Sequence, residues 1–197
     1  MIIYPAIDLK DGKCVRLEQG DMSRATIFNT SPVKQAREFE RAGAEWIHIV
    51  DLNGAFAGRS VNTDAVTAIV DAVNIPVQVG GGIRDESMIE FWLNHGVSRV
   101  ILGTVTVKNP SLVKRACSRW SNRIVLGIDA IEGRVAVEGW AEVSNITLEE
   151  LAEDFEAAGA AAIVYTDISR DGLLKGPNIE STMKLAKRVA TPIIASG

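Results

Sequence analysis

Short runs of β-branched and other apolar residues alternate along the chain with longer stretches whose apolar positions recur every three or four residues. That rhythm predicts parallel strands joined by helices. Strands are expected at Ile2–Leu9, Trp46–Leu52, Val77–Gly80, Val100–Gly103, Ile124–Asp129, Ala162–Asp167 and Ile193–Ala195. Most are apolar on both faces, as strands of a covered parallel sheet must be. Pro5 counts against the first of them, since proline brings no N–H to a ladder. The helices are well punctuated. Ser31-Pro32 sets an N-cap and first turn for a segment running through Phe39 and stopped by Gly43, and Asn109-Pro110 opens another in the same way. Thr147 with Glu150 forms a capping box ahead of Leu151–Ala158, which Gly159 closes. With no Pro/Gly/Ser-rich linker, a single domain over residues 1–197 is expected.

The chain also repeats itself. Phe39-Glu40-Arg41-Ala42-Gly43-Ala44 returns as Phe155-Glu156-Ala157-Ala158-Gly159-Ala160, a shift of 116 residues. At that shift Asp51 meets Asp167, Val50 meets Thr166, Pro76 meets Pro192 and Gly81 meets Gly197; earlier, at a shift of 121, Asp8 meets Asp129 and Gly12 meets Gly133. Four strand–helix units fill residues 1–120, and a second half-barrel begins at 121. The expected fold class is therefore α/β, a (β/α)₈ TIM barrel built from two similar half-barrels. On this logic the second half-barrel, 121–197, is incomplete and the chain stops before strand eight; a complete protein is expected to run to roughly 235–245 residues.

Composition narrows the classes of function. Apolar residues make up 47% and charged residues 23%, ordinary for a globular protein. A net charge of −4 offers no excess of Lys and Arg for nucleic acid. No apolar stretch reaches the roughly 18 residues of a membrane span, and no signal peptide is visible, so a cytoplasmic protein is expected. Cys14 and Cys117 lack CxxC spacing and are expected to be one buried and one partly exposed thiol; His48 and His95 are too far apart to suggest a metal cluster.

In barrels of this kind the chemistry sits at the C-terminal strand ends. Asp8 in Ala-Ile-Asp and Asp129 in Gly-Ile-Asp end strands one and five, on opposite sides of an eight-strand ring. One can take a proton while the other gives one, provided their surroundings push the two pKa values apart. Asp51 and Asp167, out of phase with Val50 and Thr166, read as loop-fixing residues, and Thr166 as the better candidate to orient a catalytic carboxylate. Gly80-Gly81-Gly82-Ile83-Arg84 after strand three, with Gly103-Thr104 after strand four, could cradle an anion on backbone N–H groups. The alternative is a tight rim turn. Ser196-Gly197 echoes the first cradle, which points to a substrate with a phosphate at each end. Arg16 lies in the first loop and Trp140 in the loop after strand five, the latter either a lid aromatic or a packing anchor. His48 is expected in the barrel wall and His95 at a solvated helix end.

Several segments carry a family resemblance. They are Ile-Tyr-Pro-Ala-Ile-Asp-Leu-Lys-Asp-Gly-Lys-Cys-Val-Arg-Leu at 3–17, Val-Asp-Leu-Asn-Gly-Ala at 50–55, Val-Gly-Gly-Gly-Ile-Arg at 79–84, Leu-Gly-Thr at 102–104, Gly-Ile-Asp at 127–129 and Thr-Asp-Ile-Ser-Arg-Asp-Gly at 166–172. Together they resemble the phosphoribosylformimino-aminoimidazole-carboxamide ribotide isomerases of histidine biosynthesis. The resemblance implies a cofactor-free Amadori rearrangement of a small bis-phosphorylated ribotide; the protein is expected to be monomeric when complete, with no nucleic-acid or membrane partner. It implies Asp8 as general base at C2 of the opened sugar and Asp129 as general acid on the ring oxygen, with Thr166 supporting the acid. Trp140 and Arg16 would cover and grip the substrate. Gly81, Gly82, Gly103 and Thr104 would hold one phosphate, and Gly197 would begin the other site. The sister cyclase typically has Cys-Leu-Asp and a first-loop Lys where this chain has Ala6-Ile7-Asp8 and Arg16. A dual-substrate isomerase that also acts on phosphoribosylanthranilate, and a fragment that binds phosphosugars without turnover, are the remaining alternatives.

Overall fold

Pro5 decides where the first strand begins. In a computed structural model describing residues 1–18, 20–173 and 176–197, β1 (Ala6–Lys10) opens just after the proline and not at Ile2. The Pro5 carbonyl still joins the ladder, accepting from His48 N–H at 3.0 Å, but its ring nitrogen has no hydrogen to offer. Ile2 and Ile3 are consequently exposed.

The chain continues through β2 (Lys13–Glu18), β3 (Asp21–Asn29), α1 (Pro32–Arg41), β4 (Ile47–Asp51), α2 (Leu52–Ala57), α3 (Thr63–Ala72), β5 (Val77–Gly80), α4 (Glu86–Asn94) and β6 (Arg99–Leu102). Then come α5 (Val105–Lys108), α6 (Pro110–Arg119), β7 (Ile124–Ile131), β8 (Arg134–Val137), β9 (Glu142–Thr147), α7 (Leu148–Glu156), β10 (Ala162–Asp167), α8 (Ile179–Arg188) and β11 (Ile193–Ser196). Two compact units result, Met1–Arg16 with Ala25–Ile101 and Leu17–Arg24 with Leu102–Gly197.

In the first unit β1, β4, β5 and β6 pair in parallel, with β2 antiparallel on β1. In the second, β7, β10 and β11 pair in parallel, and β8 and β9 extend antiparallel from β7. All of β5 and β10 is buried, as two-sided cover requires. The helices add Trp92, Val113 and Phe155 to the core, none more than 1% exposed.

The repeat seen in sequence is reproduced bond for bond. Ile47 N–H donates to Pro76 O at 3.0 Å, and Ile163 N–H to Pro192 O at 2.9 Å. Glu40 accepts from Asn74 N–H in the first unit, as Glu156 accepts from Ala190 N–H in the second. Both hexapeptides end in the same helix stop: Gly43 and Ala44 N–H return to Glu40 and Phe39, and Gly159 and Ala160 N–H to Glu156 and Phe155. The caps read from sequence are also present. Ser31, Asn109 and Thr147 each accept from the expected backbone N–H, and Thr147–Glu150 closes a capping box.

Further expectations change. The helix expected at Leu151–Ala158 runs over Leu148–Glu156. α1 runs two residues beyond Phe39, to Arg41. Both cysteines are buried, not one, and burial pushes both thiols up to about 11. The loops after β1 and β7 are not loops. They are hairpins with two-residue turns, Asp11-Gly12 and Glu132-Gly133, whose residues all have positive φ as in a type I′ turn.

Candidate active site

Those hairpins place the two aspartates. Asp8 stands two residues before the end of β1, opposite Val15 on β2 and beside Val50 on β4. Asp129 stands two residues before the end of β7, opposite Ala136 on β8 and beside Thr166 on β10. Every one of these positions maps onto its counterpart at the repeat shifts. Each carboxylate therefore leaves the sheet where a buried parallel strand turns into an antiparallel flap.

In the first unit, Asp8 lies close enough to Cys14 for its charge to help burial in raising that thiol. Arg16 is exposed on β2, its guanidinium 5.3 Å from the centre of the Phe28 ring. Gly81 and Gly82 are fixed by close backbone packing: a Cβ on Gly81 would fall 2.2 Å from Asp51 O, and one on Gly82 2.4 Å from Gly54 O. The triple glycine is thus at least a rim turn. His48 Nδ1 lies 2.8 Å from Gln78 Nε2, which has only hydrogens to offer, so Nδ1 accepts; burial lowers His48 to about 4. His95 caps α4 in solvent, Nδ1 2.8 Å from Phe91 O.

In the second unit the predicted residues meet. Trp140 Nε1–H donates to Asp129 Oδ2 at 2.8 Å, and the hydroxyl of buried Thr166 also hydrogen-bonds the carboxyl. Burial raises Asp129 above the ordinary carboxylate range, and these two donors offset it only in part. Trp140 reaches the carboxyl from an unusual backbone. Glu138, Gly139 and Trp140 have φ of 57°, 63° and 73°, a left-handed turn that costs about 1–2 kcal/mol at each non-glycine position. Thr104 Oγ1 accepts from Glu138 N–H at 3.0 Å and so ties this turn down. Gly103, by contrast, is unstrained, and a Cβ there would lie 3.7 Å from its nearest neighbour. Gly197 is beside Thr166 and Asp167.

Asp51 and Asp167 are structural, as their phase predicts. Asp51 accepts from Gly54, Val61 and Asn62 N–H and from Asn62 Nδ2 at 2.7 Å. Asp167 accepts from Ser169 and from Asn178 Nδ2, again at 2.7 Å. Burial pushes Asp167 up, but the hydrogen bonds from Asn178 and Ser169 outweigh it and hold the carboxyl below its ordinary range. Asn62 and Asn178 stand at the same shift of 116 and were legible in the repeat, though the sequence reading passed over them. Gly20, under the Trp140 ring, has no such signal. Among the described residues no group of three or more His, Cys, Asp or Glu could hold a metal, and no helix is long and apolar enough to cross a membrane.

Comparison with known proteins adds an independent line. The profile of the family described as "Histidine biosynthesis protein" matches residues 2–197. The chain belongs to this histidine biosynthesis family. Membership carries the (β/α)₈-barrel fold class that the strand–helix rhythm predicts. Family members called 1-(5-phosphoribosyl)-5-((5-phosphoribosylamino)methylideneamino)imidazole-4-carboxamide isomerase are similar along the whole chain. The protein of Paramagnetospirillum magneticum is 60% identical over 197 residues, all of this chain and 82% of its own length. That of Rhodospirillum rubrum is 61% identical, with 82% of its length covered, and that of Chelativorans sp. 61%, with 81% covered.

Proposed function

We propose that this chain is an aldose–ketose isomerase of histidine biosynthesis, catalysing the Amadori rearrangement of the bis-phosphorylated ribotide for which its relatives are named. Asp129, protonated, gives its proton to the furanose ring oxygen, and as the C1–O bond breaks the opened sugar becomes a protonated C1 imine. Asp8 then takes the C2 proton to form an enolamine. That species gains a proton at C1 and loses one from the C2 hydroxyl, leaving the aminoketose with atoms and charge balanced. Only acid and base are needed, so the reading includes no cofactor.

The observation that carries the reading is the setting of Asp129, buried and bonded by Trp140 and Thr166. Burial favours its proton, while Trp140 and Thr166 stabilise the anion left after the proton has gone. Gly81, Gly82, Gly103 and Thr104 are assigned to one phosphate and Gly197 to the other. Arg16 and Trp140 are assigned to covering the substrate. Half-barrels at 1–120 and 121–197, a monomeric state and a cytoplasmic place belong to the same reading. The test is steady-state kinetics of Asp8→Asn and Asp129→Asn. Each should lower kcat by on the order of 10²–10⁴-fold. A loss under tenfold at either position removes that residue from its role.

A further inference from the structure

We propose that Gly20 is a positioning residue for Asp129, the seat on which the Trp140 indole rests while its nitrogen donates to the carboxyl. The inference builds on the reading of Asp129 as the acid. Trp140 is held at two ends. Its Nε1–H lies on Asp129 Oδ2 at 2.8 Å. Its six-membered ring lies over Gly20, where a Cβ would come within 2.5 Å of both Cε3 and Cζ3. The backbone of the turn is set by the three left-handed residues 138–140 and by the bond from Glu138 N–H to Thr104. What those contacts leave open is the side-chain torsion of Trp140. The bare Cα of Gly20 closes it, because no other residue lets the ring lie so close.

A methyl group at position 20 must push the ring aside, and the far end of a rigid indole moves with it. The Nε1–H then leaves Asp129. Gly20 also has φ of +73°, which any other residue would adopt under strain, so the backbone cost must be separated from the indole effect. Gly159 supplies the control. It follows α7 with φ of +84° and nothing within 4 Å of its Cβ position. Gly159→Ala carries the backbone cost alone.

The experiment compares Gly20→Ala, Gly159→Ala, Trp140→Phe and the Gly20→Ala/Trp140→Phe double variant. The indole N–H resonances of ¹⁵N-labelled protein are read beside kcat/KM across pH, and the Trp140 resonance is identified by its loss in Trp140→Phe. In Gly20→Ala that resonance should move and cease to follow the ionisation of Asp129. kcat/KM should fall about tenfold or more, the worth of one lost bond to a charged group. The pH limb set by the acid should shift upwards, since a donor to the anion has gone. Gly159→Ala should change kcat/KM less than about twofold, and Gly20→Ala should cost little more once Trp140 is phenylalanine, as coupled residues do. An unmoved indole resonance overturns the proposal, as do equal losses in Gly20→Ala and Gly159→Ala or a full loss in the Trp140→Phe background. If Asp129→Asn retains activity, the acid assignment fails by itself, and the resonance still decides whether Gly20 seats the indole.

Discussion

Asp8 and Asp129 share a strand position, a hairpin and a turn, yet the second has been given a tryptophan and a threonine as donors. A carboxyl whose folded-state pKa is raised favours folding at low pH, and that contribution is lost as pH rises through the raised value. Asparagine at the same place has no proton to lose. The thermal midpoint of Asp129→Asn relative to the unsubstituted protein should therefore climb as pH is taken from about 4 to about 8. A difference that stays flat with pH would show that this carboxyl is not raised. Both aspartates were legible in sequence because duplication marks them twice. Gly20 was not, because its role is a contact through space with a residue 120 positions away.

At the scale of elements, each unit fastens the loop after a parallel strand with the same clamp, an aspartate gripped by an asparagine eleven residues on. The two clamps are not equally loaded. Asn62 is 6% exposed and bonds Asp51, Asn53 and Leu9 while accepting from Gly12 N–H. Asn178 is part-buried; its side chain donates to Asp167 and caps α8 through Ser181. Asn62→Ala should cost about 2–3 kcal/mol and Asn178→Ala about 1 kcal/mol, by urea unfolding, since truncation leaves more buried groups unpaired at position 62. A reversed order would mean the hydrogen bonds do not set the loss. The parallel strands and longer helices were readable because burial on both faces and capping residues write themselves into the pattern. The flaps carried a weaker signal, Asp11-Gly12 and Glu132-Gly133 between apolar residues. α2 and α5, six and four residues long, are too short to show a helical period.

At the scale of the molecule, acid stability should be governed in part by His48. Burial holds it neutral with a pKa of about 4, below the value near 6.5 expected in the unfolded chain. The unfolded state binds the extra proton between those limits, so stability present above pH 6.5 falls as pH drops towards 4. Unfolding free energies measured across that window should show His48→Gln with a shallower slope than the unsubstituted protein. An unchanged slope would assign the acid sensitivity to other groups.

Val50 and Thr166 occupy the same place in the repeat, beside Asp8 and beside Asp129. The two side chains have nearly the same shape, and they differ in that one end carries a methyl group and the other a hydroxyl. The two halves of the repeat thus differ at this place by one methyl exchanged for one hydroxyl. If Asp129 is the acid, exchanging Val50 and Thr166 is the smallest edit that would take the hydroxyl from its side and offer one to Asp8.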